Sequence, residues 1–214
     1  FGTMNDFDQL LSSIHQRGMK LILDLVVNHT SDEHPWFIES KSSKTNAKRD
    51  WYIWADPKPD GSEPNNWESI FNGSTWEFDE STKQYYFHLF SKKQPDLNWE
   101  NPDVRQAVFE MMNWWFEKGI DGFRVDAITH IKKNFEAGDL PVPDGKKFAP
   151  AFDVDMNQPG IQEWLQEMKD KSLSRYDIMT VGEANGVTPN DAEEWVGEEN
   201  GKFNMIFQFE HLGL

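Results

Sequence analysis

Apolar and polar positions along this chain predict helices that are each followed by a strand. Residues 7–14 have apolar side chains at the i, i+3, i+4, i+7 spacing of an amphipathic helix, and Gly18 marks its end. The apolar run 19–27 then predicts a strand. The same order recurs as helix 102–119 with strand 120–128, helix 159–171 with strand 176–182, and a shorter helix capped by Thr188-Pro189 before strand 203–209. Four such repeats predict parallel strands joined by right-handed crossovers.

Apolar stripes predict the buried face of each longer helix. The stripes are Phe7, Leu10, Leu11 and Ile14 in the first helix, Val104, Ala107, Val108, Met111 and Trp115 in the second, and Ile161, Trp164, Leu165 and Met168 in the third. Asn101 is the predicted N-cap of the second helix and Pro102 its first helical residue.

The helix–strand order is lost between His29 and Asn101. This stretch is polar and rich in Trp, Pro, Asn and Gly, and it holds only short strand candidates such as residues 84–90. It is too long for an ordinary loop between a strand and a helix. We therefore predict an α/β fold, a partial (β/α)8 TIM barrel of about four βα units, formed by 1–29 and 100–214. The segment 30–99 is the predicted inserted subdomain.

Composition limits the classes of partner. The chain has 214 residues, no cysteine and a net charge of −16, so nucleic acid and anionic lipid are poor partners because both require a basic surface. No apolar run reaches the roughly 20 residues that span a bilayer, and no secretory signal is visible. A cytoplasmic protein with a neutral small-molecule ligand is expected, whereas the sequence indicates no oligomeric state.

Three strands end on polar residues, which is how a barrel enzyme brings catalytic groups together. Asp24 belongs to the first strand, Asp126 ends the second, and Glu183 ends the third. Arg124 precedes Asp126 by two residues on the same strand face, where it can keep the carboxylate ionised. Each feature alone also fits an ordinary ion pair or loop acid. Together, two carboxylates suit glycoside hydrolysis, and a separation of about 5 Å would indicate a retaining enzyme.

No metal or cofactor site is predicted in this chain. The run Asp153-x-Asp155-x-Asn157 copies the first half of a calcium loop, but it lacks the glycine at the sixth position and the glutamate at the twelfth.

Four blocks together resemble the alpha-amylase family of glycoside hydrolases, in its oligo-1,6-glucosidase and alpha-glucosidase branch. They are Asp24-Leu-Val-Val-Asn-His29, Gln94-Pro-Asp-Leu-Asn98, Gly122-Phe-Arg-Val-Asp126 and Gly182-Glu183. The Gln-Pro form of the second block is typical of this branch, and the resemblance covers the whole chain.

The resemblance implies a role for each residue of these blocks. Asp126 is the expected nucleophile and Glu183 the general acid and then base. Arg124 and His29 are expected to contact the nucleophile and the first sugar, and Asp24 is expected to support Arg124 rather than to catalyse.

The resemblance also implies a glucose pocket and a specificity position. Phe71, Phe90 and Gln94 are expected to line the pocket. Members that cleave α-1,6 bonds commonly carry valine directly after the nucleophile, whereas this chain has Ala127. We therefore expect an α-glucosidase that acts on short gluco-oligosaccharides and prefers α-1,4 bonds, with oligo-1,6-glucosidase as the alternative.

Several parts of the family pattern are not found in this sequence. They are the first two barrel strands, the block with the third catalytic carboxylate, the N-terminal calcium loop and the C-terminal β domain. We expect a fragment that hydrolyses feebly or not at all alone, with calcium relevant only in a longer parent protein.

Three other functions stay open at this point. The first is a non-catalytic scaffold of the same fold. The second is carbohydrate binding by tryptophans of the insert, although a role in its small core is favoured for them, namely for Trp51, Trp54, Trp67 and Trp76. The third is trehalose-6-phosphate hydrolysis, for which Lys132-Lys133 is the nearest basic pair and a weak one.

Overall fold

The computed structural model describes residues 2–209. Its α-helices are α1 (Met4–Gln16), α2 (Pro35–Ser42), α3 (Pro102–Lys118), α4 (Phe152–Asp155), α5 (Ile161–Lys171) and α6 (Ala192–Val196). Its strands are β1 (Ile22–Val26), β2 (Trp54–Ala55), β3 (Trp76–Asp79), β4 (Gln84–Phe87), β5 (Gly122–Asp126), β6 (Met179–Glu183) and β7 (Met205–Phe207).

The chain forms two compact units. The first contains the chain up to residue 26, residues 106–129 and the chain from residue 159 onward, and the second contains residues 27–105 and 130–158. These limits differ from the predicted boundaries at 29/30 and 99/100. The main difference is segment 130–158, which was predicted as part of the barrel and instead packs within the second unit.

The first unit contains a parallel sheet in the order β1-β5-β6-β7. Asp24 of β1 lies opposite Arg124 of β5, and Val125 of β5 lies opposite Gly182 of β6. Each strand is preceded by a helix along the chain, which confirms the predicted α/β arrangement of a partial barrel. All four strands point the same way, so their carboxyl ends lie at one edge of the sheet.

Helix burial agrees with the predicted stripes only in part. In α5, all four residues of the predicted stripe are buried. In α3 the buried residues include Val104, Val108, Met112 and Phe116. Met111 and Trp115 of the predicted stripe are only partly buried. In α1, Leu11 is buried but Leu10 is exposed. Where two apolar residues are consecutive, as Leu10 and Leu11 are, their spacing alone does not show which of them is buried.

The last predicted helix begins later than expected. Thr188-Pro189 does not cap it, since α6 starts at Ala192 after Asp191. The Thr188 hydroxyl donates a hydrogen bond to the Asp191 carboxylate at 2.6 Å. That bond closes a turn before the helix, so the capping prediction was wrong. Asn101 does cap α3, because its side-chain oxygen accepts the Asp103 N–H at 2.9 Å.

Gly122 allows β5 and β6 to approach closely. Its φ is +153°, and a Cβ at this position would collide with the backbone carbonyl of Met179. Any other residue here would push apart the two strands that end in Asp126 and Glu183.

Asp121 ties the start of β5 to the α1–β1 connection. It accepts hydrogen bonds from the Lys20 ammonium at 2.8 Å, the Leu21 N–H at 2.8 Å and His15 Nε2 at 2.7 Å. Burial raises the pKa of Asp121, but these three donors outweigh it and lower the pKa to about 2. The network therefore stabilises the fold above about pH 4, and this contribution is lost as the pH falls through 2.

The second unit has a small antiparallel sheet in the order β2-β4-β3 with an aromatic core. Trp67 and Trp76 are buried in this core, and Trp51 and Trp54 are partly buried. Their burial favours a structural role over the sugar-binding role considered from the sequence. The helix α2 was not predicted, because its apolar residues Trp36, Phe37 and Ile38 are consecutive and lack helical spacing.

Segment 130–158 joins the second unit through stacking and backbone pairing. Phe135 stacks on Trp67 with ring centroids 5.2 Å apart and planes within 5°. The Glu68 N–H donates to the Ala149 carbonyl at 2.8 Å. Residues 138–148 are mostly polar and have no periodic apolar pattern, so the sequence does not predict these contacts. Within residues 2–209, no helix is long and apolar enough to cross a membrane.

Candidate active site

The carboxyl end of β5 places Arg124 and Asp126 on the same face of the sheet. Residues i and i+2 of a strand point to the same side, which explains why these side chains meet. The β1–β5 register brings Asp24 next to Arg124 on that face. Glu183 ends β6, one residue after Gly182, which is paired with Val125. Four charged side chains from three strands therefore converge in the first unit.

One guanidinium group links all three carboxylates. Arg124 Nη1 donates to Asp24 Oδ1 at 2.8 Å and forms a short ion pair with Asp126 Oδ1, and Nη2 lies 3.0 Å from Glu183 Oε2. Burial alone lowers the pKa of Arg124, but the hydrogen bonds to Asp24 and Asp126 and the charge of Glu183 raise it above the usual arginine value. Arg124 therefore stays charged and holds both candidate catalytic groups.

Exposure separates the supporting carboxylate from the other two. The Asp24 side chain is 59% exposed, whereas the Asp126 and Glu183 side chains are 22% and 18% exposed. A mainly exposed carboxylate interacts weakly with its partner because water screens the pair. The role of Asp24 as a support for Arg124 rather than as a catalytic group stays a prediction.

The backbone amide of Ala127 also holds Glu183, a contact that the sequence did not reveal. Its N–H donates to Glu183 Oε2 at 3.0 Å. Ala127 has a φ of +46°, an uncommon conformation for a residue other than glycine. That backbone turn accompanies the amide contact, so residue 127 contributes to the site through its main-chain N–H. No local sequence signal predicts it.

Four predicted pocket residues lie together in the second unit. His29 Nε2 is 2.9 Å from the Gln94 side-chain amide, and the His29 ring lies 5.1 Å from the Phe90 ring. The ring centroids of Phe71 and Phe90 lie 5.9 Å apart, and Phe71 is 61% exposed. His29 itself is buried.

A buried network beside His29 was not predicted. The Lys133 ammonium lies 2.6 Å from Asp96 Oδ2 and donates to Asn28 Oδ1 at 2.9 Å. The Asn28 amide donates to Asp96 Oδ2 at 3.0 Å, and the Leu89 N–H donates to Asp96 Oδ1. Asn28 and Asp96 belong to the quoted sequence blocks, but Lys133 could be found only through the fold.

The calcium-like run is part of the packed second unit. Asp155 is buried, with its Oδ1 3.4 Å and its carbonyl oxygen 3.1 Å from His130 Nδ1. Across residues 2–209, no group of three or more His, Asp or Glu side chains is arranged to hold a metal ion.

The candidate site residues thus form two groups, one in each compact unit. The first unit holds Asp24, Arg124, Asp126, Ala127 and Glu183. The second holds His29, Phe71, Phe90 and Gln94. A model of the alpha-amylase catalytic domain matches residues 1–214, the full length of the sequence.

The chain belongs to the alpha-amylase family.

Curated relatives match the chain over its whole length. A Bacillus subtilis (strain 168) protein named "Probable oligo-1,6-glucosidase 3" is 65% identical over 214 residues, and the oligo-1,6-glucosidase of Parageobacillus thermoglucosidasius is 58% identical over the same length. In both cases the match covers 38% of the relative. The chain therefore spans well under half the length of these family members.

A solved structure of the family has the same fold. The Bacillus licheniformis trehalose-6-phosphate hydrolase superposes with a TM-score of 0.90 at 48% identity. The superposition covers 99% of this chain and 37% of that enzyme.

Proposed function

We propose that this chain carries the catalytic pair of a retaining glucosidase that releases terminal glucose from short α-linked gluco-oligosaccharides, with α-1,6 bonds preferred. The observation that carries the proposal is the attachment of both Asp126 and Glu183 to the Arg124 guanidinium at adjacent strand ends. Glycoside hydrolysis needs two such carboxyl groups, one on each side of the scissile bond.

In the proposed mechanism, Asp126 attacks the anomeric carbon and forms a covalent glucosyl-enzyme. Glu183 first gives a proton to the departing oxygen and then takes one from the attacking water. Arg124 orients Asp126 for the first step through their ion pair, and the Ala127 N–H keeps Glu183 in place. His29, Phe71, Phe90 and Gln94 are proposed to bind the terminal glucose, since aromatic faces and amide groups suit a neutral sugar.

The proposed preference for α-1,6 bonds is based on the names of the relatives rather than on the identity of residue 127. The α-1,4 preference expected from that residue has no support in the names of the two curated relatives, which both refer to α-1,6 bonds.

Trehalose 6-phosphate is a weaker candidate. Its phosphate would need a free cation, yet Lys132 pairs with Glu100 and Lys133 with Asp96.

A hybrid enzyme tests the proposed function. Residues 1–214 would replace the matched segment of the Parageobacillus thermoglucosidasius oligo-1,6-glucosidase, so that the chain sits within a complete family member. We expect the hybrid to hydrolyse isomaltose with a higher kcat/KM than maltose. The reverse order would favour the α-1,4 specificity expected from Ala127, and no hydrolysis by a folded hybrid would contradict an enzymatic role.

Ala127→Val in the hybrid should raise the ratio of isomaltose to maltose hydrolysis by about tenfold. The added methyl groups narrow the space for the acceptor sugar, and such differences support about 1–3 kcal/mol of discrimination. The variant should also melt at a lower temperature, because a β-branched residue is strained at a positive φ.

Ala127→Gly is the matched control for this variant. Glycine relieves the backbone strain and adds no bulk, so the melting temperature should not fall and the ratio should not rise. An unchanged substrate ratio in Ala127→Val would exclude residue 127 as a specificity position.

A further inference from the structure

Residues 69–73 form a tight loop that contains an exposed Asn-Gly sequence. The Asn72 N–H donates to the Ser69 carbonyl at 2.9 Å, and the Ser69 N–H donates to the Gly73 carbonyl at 2.9 Å. The φ values of Asn72 and Gly73 are +68° and +86°, and both residues are exposed. We propose that Asn72 deamidates spontaneously through attack by the Gly73 nitrogen, and that the product loosens the loop that carries Phe71.

The reaction at this sequence needs only water as a co-reactant. The Gly73 nitrogen forms a bond to Cγ of Asn72 and loses its proton, while the Cγ–Nδ2 bond breaks and ammonia leaves. Water then opens the cyclic imide at one of its two carbonyl carbons. Opening at Cγ leaves an aspartate at position 72, whereas opening at the main-chain carbon leaves an isoaspartate whose main chain passes through Cβ. Both products carry a new negative charge.

Both reacting groups are accessible in the loop. Within residues 2–209, the Gly73 N–H donates to no protein acceptor, and the Asn72 side-chain amide has no hydrogen-bond partner in the protein. A Cβ built at position 73 would meet no atom within 4 Å, so nothing crowds the attacking nitrogen. The attack requires rotation of the Asn72 main chain. The hydrogen bond of the Gly73 carbonyl with the Ser69 N–H opposes this rotation, and glycine adds no side-chain barrier.

The structure holds the other Asn-Gly sequences of the chain more firmly. They are Asn185-Gly186 and Asn200-Gly201. The Gly201 N–H donates to the Gly197 carbonyl at 2.9 Å, and the Gly201 carbonyl accepts from the Lys169 ammonium at 2.7 Å. A Cβ at position 201 would lie 2.4 Å from the Gly197 carbonyl oxygen, so that nitrogen is crowded. The Asn185 Oδ1 is buried. Three sequences with the same chemistry therefore differ in how freely they can react, and Asn72 is favoured.

The isoaspartate product lengthens the main chain inside the loop by one atom. That atom separates Ser69 from Gly73, whose hydrogen bond closes the loop around Phe71. Phe71 is 61% exposed, so its position depends on the loop. Its ring centroid lies 5.9 Å from that of Phe90 in the proposed glucose pocket. On the basis of the proposed function, we expect the modified form to bind the terminal glucose more weakly.

Peptide mass mapping of the purified chain tests the site. The chain would be incubated in mildly alkaline buffer, and replacement of the amide NH2 by OH would be followed at each Asn-Gly sequence. We expect deamidation about fivefold faster at Asn72 than at Asn200, the factor that corresponds to one typical hydrogen bond. In urea that unfolds the chain, the two rates should become similar. Equal rates in the folded chain, or the same ratio of rates in urea, would overturn the proposal.

Asn72→Gly is the matched control, because glycine adopts a positive φ freely and has no side-chain amide to lose. Hydrogen exchange measured by mass would report on the peptide that contains residues 69–73. Exchange should become faster in the incubated unsubstituted chain, in step with deamidation, and should stay constant in the incubated variant. Unchanged exchange in an extensively deamidated chain would refute the loosening of the loop.

The hybrid enzyme tests the consequence for sugar binding. Its KM for isomaltose should rise in step with the mass change at position 72 and stay constant in the incubated Asn72→Gly hybrid. A constant KM in an extensively deamidated hybrid would refute the link to Phe71. The mass and exchange measurements do not depend on activity, so they distinguish failure of this proposal from failure of the proposed function.

Discussion

Replacing Glu183 with alanine in the hybrid should lower kcat on isomaltose by about 10²–10⁴-fold, the range for losing a general acid and base. Azide should restore turnover on a nitrophenyl α-glucoside, because that leaving group needs no proton and azide needs no base. Azide would attack the glucosyl-enzyme formed by Asp126. The product should be α-glucosyl azide, identified by the proton coupling at its anomeric carbon.

Replacing Asp126 with alanine should reduce turnover at least as far, since no covalent intermediate can form. Azide can then attack the substrate directly from the face that Asp126 occupied, with Glu183 still present as the acid. The expected product is β-glucosyl azide, so the two variants give opposite anomers. The same anomer from both variants would contradict the assigned roles.

Asp24→Asn is the control for this pair. Asp24 contacts the same guanidinium as Asp126, at 2.8 Å, but its side chain is 59% exposed. Its loss should weaken the alignment of Arg124 and give no azide adduct of either anomer. Rescue by azide at this position would mean that Asp24 takes part in the chemistry.

Replacing Lys133 with methionine should destabilise the chain by about 3–5 kcal/mol, because Asp96 would be left as a buried charge without its partner. The Lys133 and Asp96 side chains are 1% and 0% exposed, so water cannot replace the ammonium. For a chain of this size, the melting temperature should fall by roughly 6–20 °C. Thermal and urea unfolding of the purified chain would measure the change.

Lys132→Met is a matched control from the adjacent position. Lys132 pairs with Glu100 at 2.9 Å, but the Glu100 side chain is 67% exposed. Pairs of this kind contribute about 0–1 kcal/mol. Equal losses of stability in the two variants would show that burial of the Lys133–Asp96 pair has no special effect.

The first unit was largely predictable because its signals are local. The four parallel strands, the helix α5 and its buried stripe follow from spacing over a few turns. Asp126 and Glu183 stood out because each is a carboxylate at the end of an apolar strand. The cap of α6 failed as a prediction because the hydroxyl of Thr188 binds Asp191 instead of a helical N–H.

The second unit was less predictable because its contacts join distant residues. Segment 130–158 belongs with the insert because Phe135 stacks on Trp67, and the polar residues 138–148 give no periodic sign of such packing. The tryptophans of the insert, for which a role in its small core was favoured over sugar binding, are indeed buried or partly buried.

The sequence by itself determined the order of helices and strands, the acidic strand ends and the family resemblance, since these depend on residue types at short spacing. Only the tertiary structure decided which distant residues contact these carboxylates. Arg124 meets Glu183, the Ala127 amide meets the same carboxylate, and Lys133 meets Asp96. Each pair is separated by 37 residues or more, so its contact depends on strand register and packing rather than on any local pattern.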